Sequence, residues 1–207
     1  MFGPLASIAA LLDDPAKADA RLFARMAADT PEWPDWTVAV RPVLAPLVEK
    51  NAIARPVVAR VLDMPFNALA LPHQTIVVAK SMVEFCRGRT AQLAFVLAHE
   101  LAHIHLGHAG DRTRLNALAG LLGMTNVVVG MVTRFLLDRA YSREQEFEAD
   151  ETAVKFCRAA GYPAAAGAAF MERLASLDRS TGVGNLLDTH PPLAERVSFL
   201  RSLAATG

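Results

Sequence analysis

The stretch TAQLAFVLAHELAH, residues 90–103, decides the reading of this chain. Leu93, Val96, Leu97 and the two histidines recur at helical spacing, and Thr90 stands where an N-cap would, so a helix is expected. Residues four apart on a helix share a face. His99 and His103 therefore point their imidazoles the same way and can grip one ion. Zinc takes such nitrogen ligands at about 2.0–2.1 Å. Glu100, beside the first histidine, is placed to take a proton from an attacking water and return it to a leaving amine. The plainer alternative is two solvated or core histidines on an ordinary helix. That reading loses ground to this spacing inside so apolar a helix.

A hydrolytic zinc site needs a third protein ligand and an open position. Residues 142–150, SREQEFEAD, offer one. Ser142 and Gln145 have the spacing of a capping box, which opens a second helix there. On it Glu146 and Asp150 share a face, while Glu148 points elsewhere. Glu146 then suits a metal ligand, and Asp150 suits an acceptor for a ligand imidazole. Acid-rich helix starts also simply suit the helix dipole. This second motif gains its weight from the first.

These motifs, followed by Thr189-His190-Pro191-Pro192 and Arg196, resemble the HtpX and CAAX-prenyl-protease family of gluzincin metallopeptidases. Upstream, residues 67–72 (NALALP) and Ile76-Val77-Val78 are similar to that family's strand region. The resemblance spans roughly Asn67 to Leu200, in the family's order. It implies His99, His103 and Glu146 as ligands of one zinc ion per chain, Glu100 as general base and Asp150 as the residue orienting a ligand. It also implies His190 and Arg196 beside the active site, where such a pair would stabilise an oxyanion. Without the resemblance, His190 reads only as a residue before a Pro-Pro helix start.

The stretch Asn67 to Leu71 reads either as an ordinary core strand or as an edge strand pairing with a peptide substrate through its main chain. On the second reading Asn67, Ala68 and Leu69 bind substrate. Where the family often carries paired glycines after Leu-Pro, this chain has His73 and Gln74, which reduces backbone freedom at the turn. His105 is turned away from the ligand face, and both it and His108 suit the end of a helix. Neither is expected to bind the ion.

The 207 residues suffice for one domain with a real core. The fold expected is α+β, mostly helical and zincin-like, with a small sheet from Pro56–Leu62, Asn67–Leu71 and Ile76–Val78. Residues 1–50 form an N-terminal helical segment and 55–205 the catalytic core. Within the first, a helix runs from Pro15 to about Ala28, and a later one is expected to be interrupted by Pro42 and Pro46. Gly161 ends the Glu146 helix, Pro163 starts the next, and Pro191 and Pro192 open the last. A net charge of zero with scattered basic residues gives no reason to expect nucleic acid as partner; protein or peptide substrates are. Two isolated cysteines, Cys86 and Cys157, exclude a cysteine zinc site and leave a disulfide open.

Two apolar segments bear on location. MFGPLASIAALLDD, residues 1–14, lacks the basic start of a signal peptide and reads as a docking helix, which makes cytoplasmic the default. Residues 115–133 carry no charge, and two readings stand. The favoured one is a buried helix or hairpin covering the active site; the rival is membrane insertion. Oligomeric state is not legible. A zinc-bound but latent or non-catalytic module is the alternative function, and the intact Glu100 argues against it.

Overall fold

A computed structural model describes residues 15–110, 141–181 and 193–206. The docking helix expected over residues 1–14, the 115–133 segment, His190 and the helix start at Pro191 and Pro192 lie outside them.

Helix α1 spans Pro15–Asp29 and α2 spans Pro34–Lys50. Against expectation, α2 runs unbroken through Pro42 and Pro46. Each proline leaves the carbonyl four residues earlier without its helical partner. Those carbonyls belong to Val38 and Pro42, both exposed, where water can serve them. The opposite face, Val40, Val43, Leu44 and Leu47, is buried and holds the helix together.

Three short strands follow, β1 (Val58–Leu62), β2 (Ala68–Ala70) and β3 (Thr75–Ala79). Their order is β1-β3-β2, with β1 parallel and β2 antiparallel to β3. β1 and β2 fall within the expected stretches, and β3 extends the expected Ile76–Val78 by one residue at each end. Central β3 is buried along its whole length, as its continuous apolar run requires. β2 forms one edge, as expected of a substrate strand, yet all three of its residues are buried.

After short helix α3 (Lys80–Phe85) comes α4 (Thr90–His105), in which every residue from Gln92 to Ile104 is buried. A helix apolar all round belongs inside a protein. α4 packs against α2, β2 and β3 and against two later helices, and forms the axis of the core. Thr90 is its first residue rather than its cap. Arg89 holds the N-cap position without a side-chain hydrogen bond.

Helix α5 spans Arg143–Ala159 and opens on the expected capping box. Gln145 N–H donates to Ser142 Oγ at 3.2 Å, and Ser142 N–H donates to Gln145 Oε1 at 3.0 Å. It ends where Gly161 takes φ 81°, with Tyr162 N–H bonded to the Cys157 carbonyl and Gly161 N–H to that of Arg158. That pair of bonds is a Schellman stop. α6 (Ala166–Thr181) and α7 (Leu193–Ala205) complete the described fold. Cys86 and Cys157 are free and buried, and burial pushes their thiols up to about 11 and about 12. Among the described residues no helix is long and apolar enough to cross a membrane.

Candidate active site

α4 and α5 lie side by side, and their contact is the most extensive between any two of the described elements. From α4, Nε2 of His99 and Nε2 of His103 converge to 3.1 Å. From α5, Glu146 places Oε2 3.5 Å from the first and Oε1 3.5 Å from the second. One donor atom from each residue lies within 4.8 Å of the other two, and all three side chains are buried. Two imidazole nitrogens and a carboxylate converging in so dry a setting make a donor set that fits zinc. Helical periodicity puts the two histidines on one stripe of α4, and the packing of α5 against α4 brings Glu146 to them.

Asp150 sits one turn beyond Glu146, with Oδ1 3.1 Å from Nδ1 of His99. That contact fixes a proton on Nδ1 and leaves the Nε2 lone pair directed at the convergence point. Arg196, from α7, is 1% exposed. Its Nε and Nη2 each donate to one Asp150 oxygen at 2.7 Å, and Nη1 lies 2.7 Å from Glu146 Oε2. Such a fork is the geometry in which arginine grips a carboxylate best. The structure thus sets Arg196 against the two carboxylates, with its Nη2 3.5 Å from His99 Nε2. His190, its expected companion, lies outside the described residues.

The electrostatics follow from this crowding. Burial alone would raise the Asp150 carboxyl, but Arg196 and His99 hold it below its ordinary value. Burial opposes a charged His99, yet hydrogen bonds to Asp150 and Glu146 outweigh it and push the ring up to about 9. Arg196 is raised despite its burial, chiefly by Asp150 and Glu146. Glu100 is 2% exposed, next to His99 on α4, and its charge also acts on Arg196.

Sequence reasoning missed two residues here. Gly107, at φ 80°, reverses the chain after α4 and turns His108 back beneath His103, the two Nδ1 atoms 3.0 Å apart. His108 Nε2 in turn meets Glu148 Oε2 at 3.2 Å. Tyr141 stacks on His103, with ring centroids 3.6 Å apart and planes 10° apart. The signal for His108 was the glycine, whose left-handed cap folds the next residue back on the helix. His105 instead meets Phe156 edge-on, 5.5 Å between centroids, away from the ligands.

Of the expected substrate residues, Asn67 is buried before β2, and its Oδ1 accepts the N–H of Ala68 at 2.9 Å. Leu71 N–H donates to Thr75 O and Ala79 N–H to Asn67 O, at 2.8 and 2.9 Å. These bonds place Ala68 and Ala70 at the positions of the ladder whose backbone groups point away from β3.

Residues 40–204 match the profile of Peptidase family M48. The chain belongs to that family. The matched residues include His99, Glu100, His103, Glu146, Asp150 and Arg196. The chain is 28% identical over an alignment of 193 residues to the mitochondrial metalloendopeptidase OMA1 of Homo sapiens, the match covering 80% of this chain and 37% of that one. It is 30% identical over 172 residues to the OMA1 of Danio rerio, 72% and 36% of the two chains. Against the metalloprotease YcaL of Escherichia coli (strain K12) the figures are 26% over 153 residues, 68% and 59%. The chain therefore spans a little over a third to about three fifths of the length of these M48 relatives.

Proposed function

We propose that this chain is a zinc endopeptidase acting on protein substrates, with one zinc ion per chain held by His99, His103 and Glu146. The observation that carries the reading is the buried convergence of those three side chains, with Glu100 on the same helix turn. When bound, zinc supplies a Lewis acid that acidifies water and polarises a scissile carbonyl. Glu100 takes the proton from the attacking water and delivers it to the leaving amine. Asp150 fixes the His99 ring, and Arg196 acts through Glu146 and Asp150 by holding both carboxylates in place. His190 remains the candidate donor to the oxyanion.

The β2 edge supports the substrate side of this reading. Ala70 is only 1% exposed, so an extended peptide would have to displace what covers this edge before pairing with the outward backbone of Ala70, Asn67, Ala68 and Leu69 forming the start of the docking strand. Within M48, the motif order resembles the HtpX and CAAX-prenyl-protease branch, in a compact form with residues 55–205 as catalytic core. For so compact a member, substrates in protein quality control, including membrane-associated ones, are a better fit than prenylated chains, and residues 115–133 are the candidate segment for membrane association. A cytoplasmic location stands as the working assignment.

The test is metal content and casein cleavage of the wild type beside Glu100→Gln. Zinc near one equivalent is expected in both, with cleavage reduced by about 10²–10⁴-fold in the variant alone. Zinc in both with cleavage by neither would instead make the chain a latent or binding module.

A further inference from the structure

The turn between β2 and β3 is held by a residue from outside the M48 match. Leu71 and Thr75 close a loop of three residues, Pro72, His73 and Gln74. Loops of that length commonly place one residue, often glycine, in the left-handed region. None of these three has a positive φ. Instead, successive backbone N–H groups of the turn converge on Asp19 of α1. His73 N–H donates to Oδ1 at 3.3 Å, and Gln74 and Thr75 N–H donate to Oδ2 at 2.7 and 2.9 Å. Such a run of N–H groups is an anion-binding nest, here filled by a side chain of the same protein. Asp19 is 1% exposed. From the other side, Val58 N–H donates to the Gln74 carbonyl at 2.9 Å, so the turn is tied at both its donors and its acceptor.

We propose that Asp19 is a positioning residue for peptide binding, clasping the hairpin turn so that β2 presents a fixed edge beside the catalytic helix. The inference rests on the reading of β2 as the docking edge. Its physical content is simple. The turn carries side chains where glycines would give freedom, and the ladder has only a few bonds to set its register. A buried carboxylate taking three N–H groups supplies the missing constraint, since hydrogen bonds to a charged acceptor are the strong ones. α1 thereby becomes part of the substrate site.

The experiment uses the zinc-loaded full chain, wild type and Asp19→Asn, with an unstructured peptide and its analogue N-methylated at alternate backbone amides. In the variant, hydrogen exchange at the Leu71 and Thr75 amides should quicken by about tenfold or more. KM for the plain peptide should rise about tenfold, with kcat within about twofold and zinc content unchanged. Faster exchange with KM unaltered would make Asp19 merely structural and overturn the proposal, as would unaltered exchange. Should Asp19→Asn fail to fold, Asp19→Ser takes its place. The wild type adds a check needing no variant, since exchange at residues 73–75 as fast as in an open loop would also overturn the clasp. Failure of the underlying reading looks different. The wild type alone would then cleave the N-methylated peptide as well as the plain one.

Discussion

Nδ1 of His108 stands 3.0 Å from Nδ1 of His103, across the chain reversal at Gly107. For His103 to offer its Nε2 lone pair to a metal, its Nδ1 must carry the proton and donate it to His108. His108 then keeps its own proton on Nε2 and donates toward Glu148, 3.2 Å away. One consistent set of tautomers serves the whole chain of contacts. Replacing His108 by alanine should therefore weaken zinc binding by about 10–100-fold, the usual effect of losing a partner that orients a ligand. Competition against a chelator measures it. An unchanged affinity would mean that the stacked Tyr141 ring orients His103 unaided.

The pH dependence of metal binding follows from His99. Without metal its ring is raised from 6.5 to about 9, against burial and through Asp150 and Glu146. A raised pKa means that the folded, metal-free chain holds a proton which the ion must displace. Between 6.5 and about 9, binding should release one proton from this ring, and apparent affinity should climb about tenfold per pH unit before levelling. The same shift stabilises the metal-free fold fully below 6.5, and that contribution fades as pH rises through about 9. Calorimetric titration in buffers of different ionisation enthalpy counts the proton. A count near zero at neutral pH would show that His99 is already neutral before metal arrives.

The proposed ligands, the proposed general base and Asp150 were legible as a group because helical spacing puts His99 and His103 on one stripe of α4 and Glu146 and Asp150 on one stripe of α5. β1 and β3 were legible from their β-branched residues, whereas β2, with none, was read only as an extended stretch closed by Pro72. Other features depend on what lies nearby in space. The unbroken path of α2 through Pro42 and Pro46 follows from both prolines lying on the outward side of a helix whose other face is buried. His108 depends on a reversal that only the folded chain brings beneath His103. Asp19 reads in the sequence as one more polar helix residue, and its partners are 54 to 56 positions away. Arg196 was legible as a site residue, but not its grip on Glu146 and Asp150, because nothing in residues 193–205 reports how α7 docks.

That grip predicts a stability effect separate from catalysis. Asp150 and Glu146 are both fully buried, and Arg196 lies against each at 2.7 Å. Arg196→Met would leave two carboxylates in a dry interior with no guanidinium beside them. Removing one partner of such a buried cluster costs about 3–5 kcal/mol. Urea unfolding of the metal-free variant should show a loss of that size. Arg196→Lys should recover only part of it, since an ammonium cannot reproduce the two-pronged contact with Asp150. Full recovery with lysine would show that charge alone matters here.

α6 reaches the catalytic helix through a glycine. A Cβ built on Gly167 would stand 2.5 to 2.8 Å from three ring atoms of Phe95, closer than packed atoms allow. Phe95 is itself buried and lies one turn before His99, the two rings 6.2 Å apart. At an exposed helix position Gly→Ala would gain about 1 kcal/mol from helix propensity. Here overpacking works against that gain and typically costs about 1–3 kcal/mol, so Gly167→Ala should destabilise the fold or leave it level. Combining it with Phe95→Leu, which takes away the ring, should give a variant more stable than the sum of the two single changes predicts. Thermal unfolding of the four proteins in that cycle measures the coupling. Strict additivity would mean that α6 swings away from α4 without strain, and Gly167 would then have no part in seating the ligand helix.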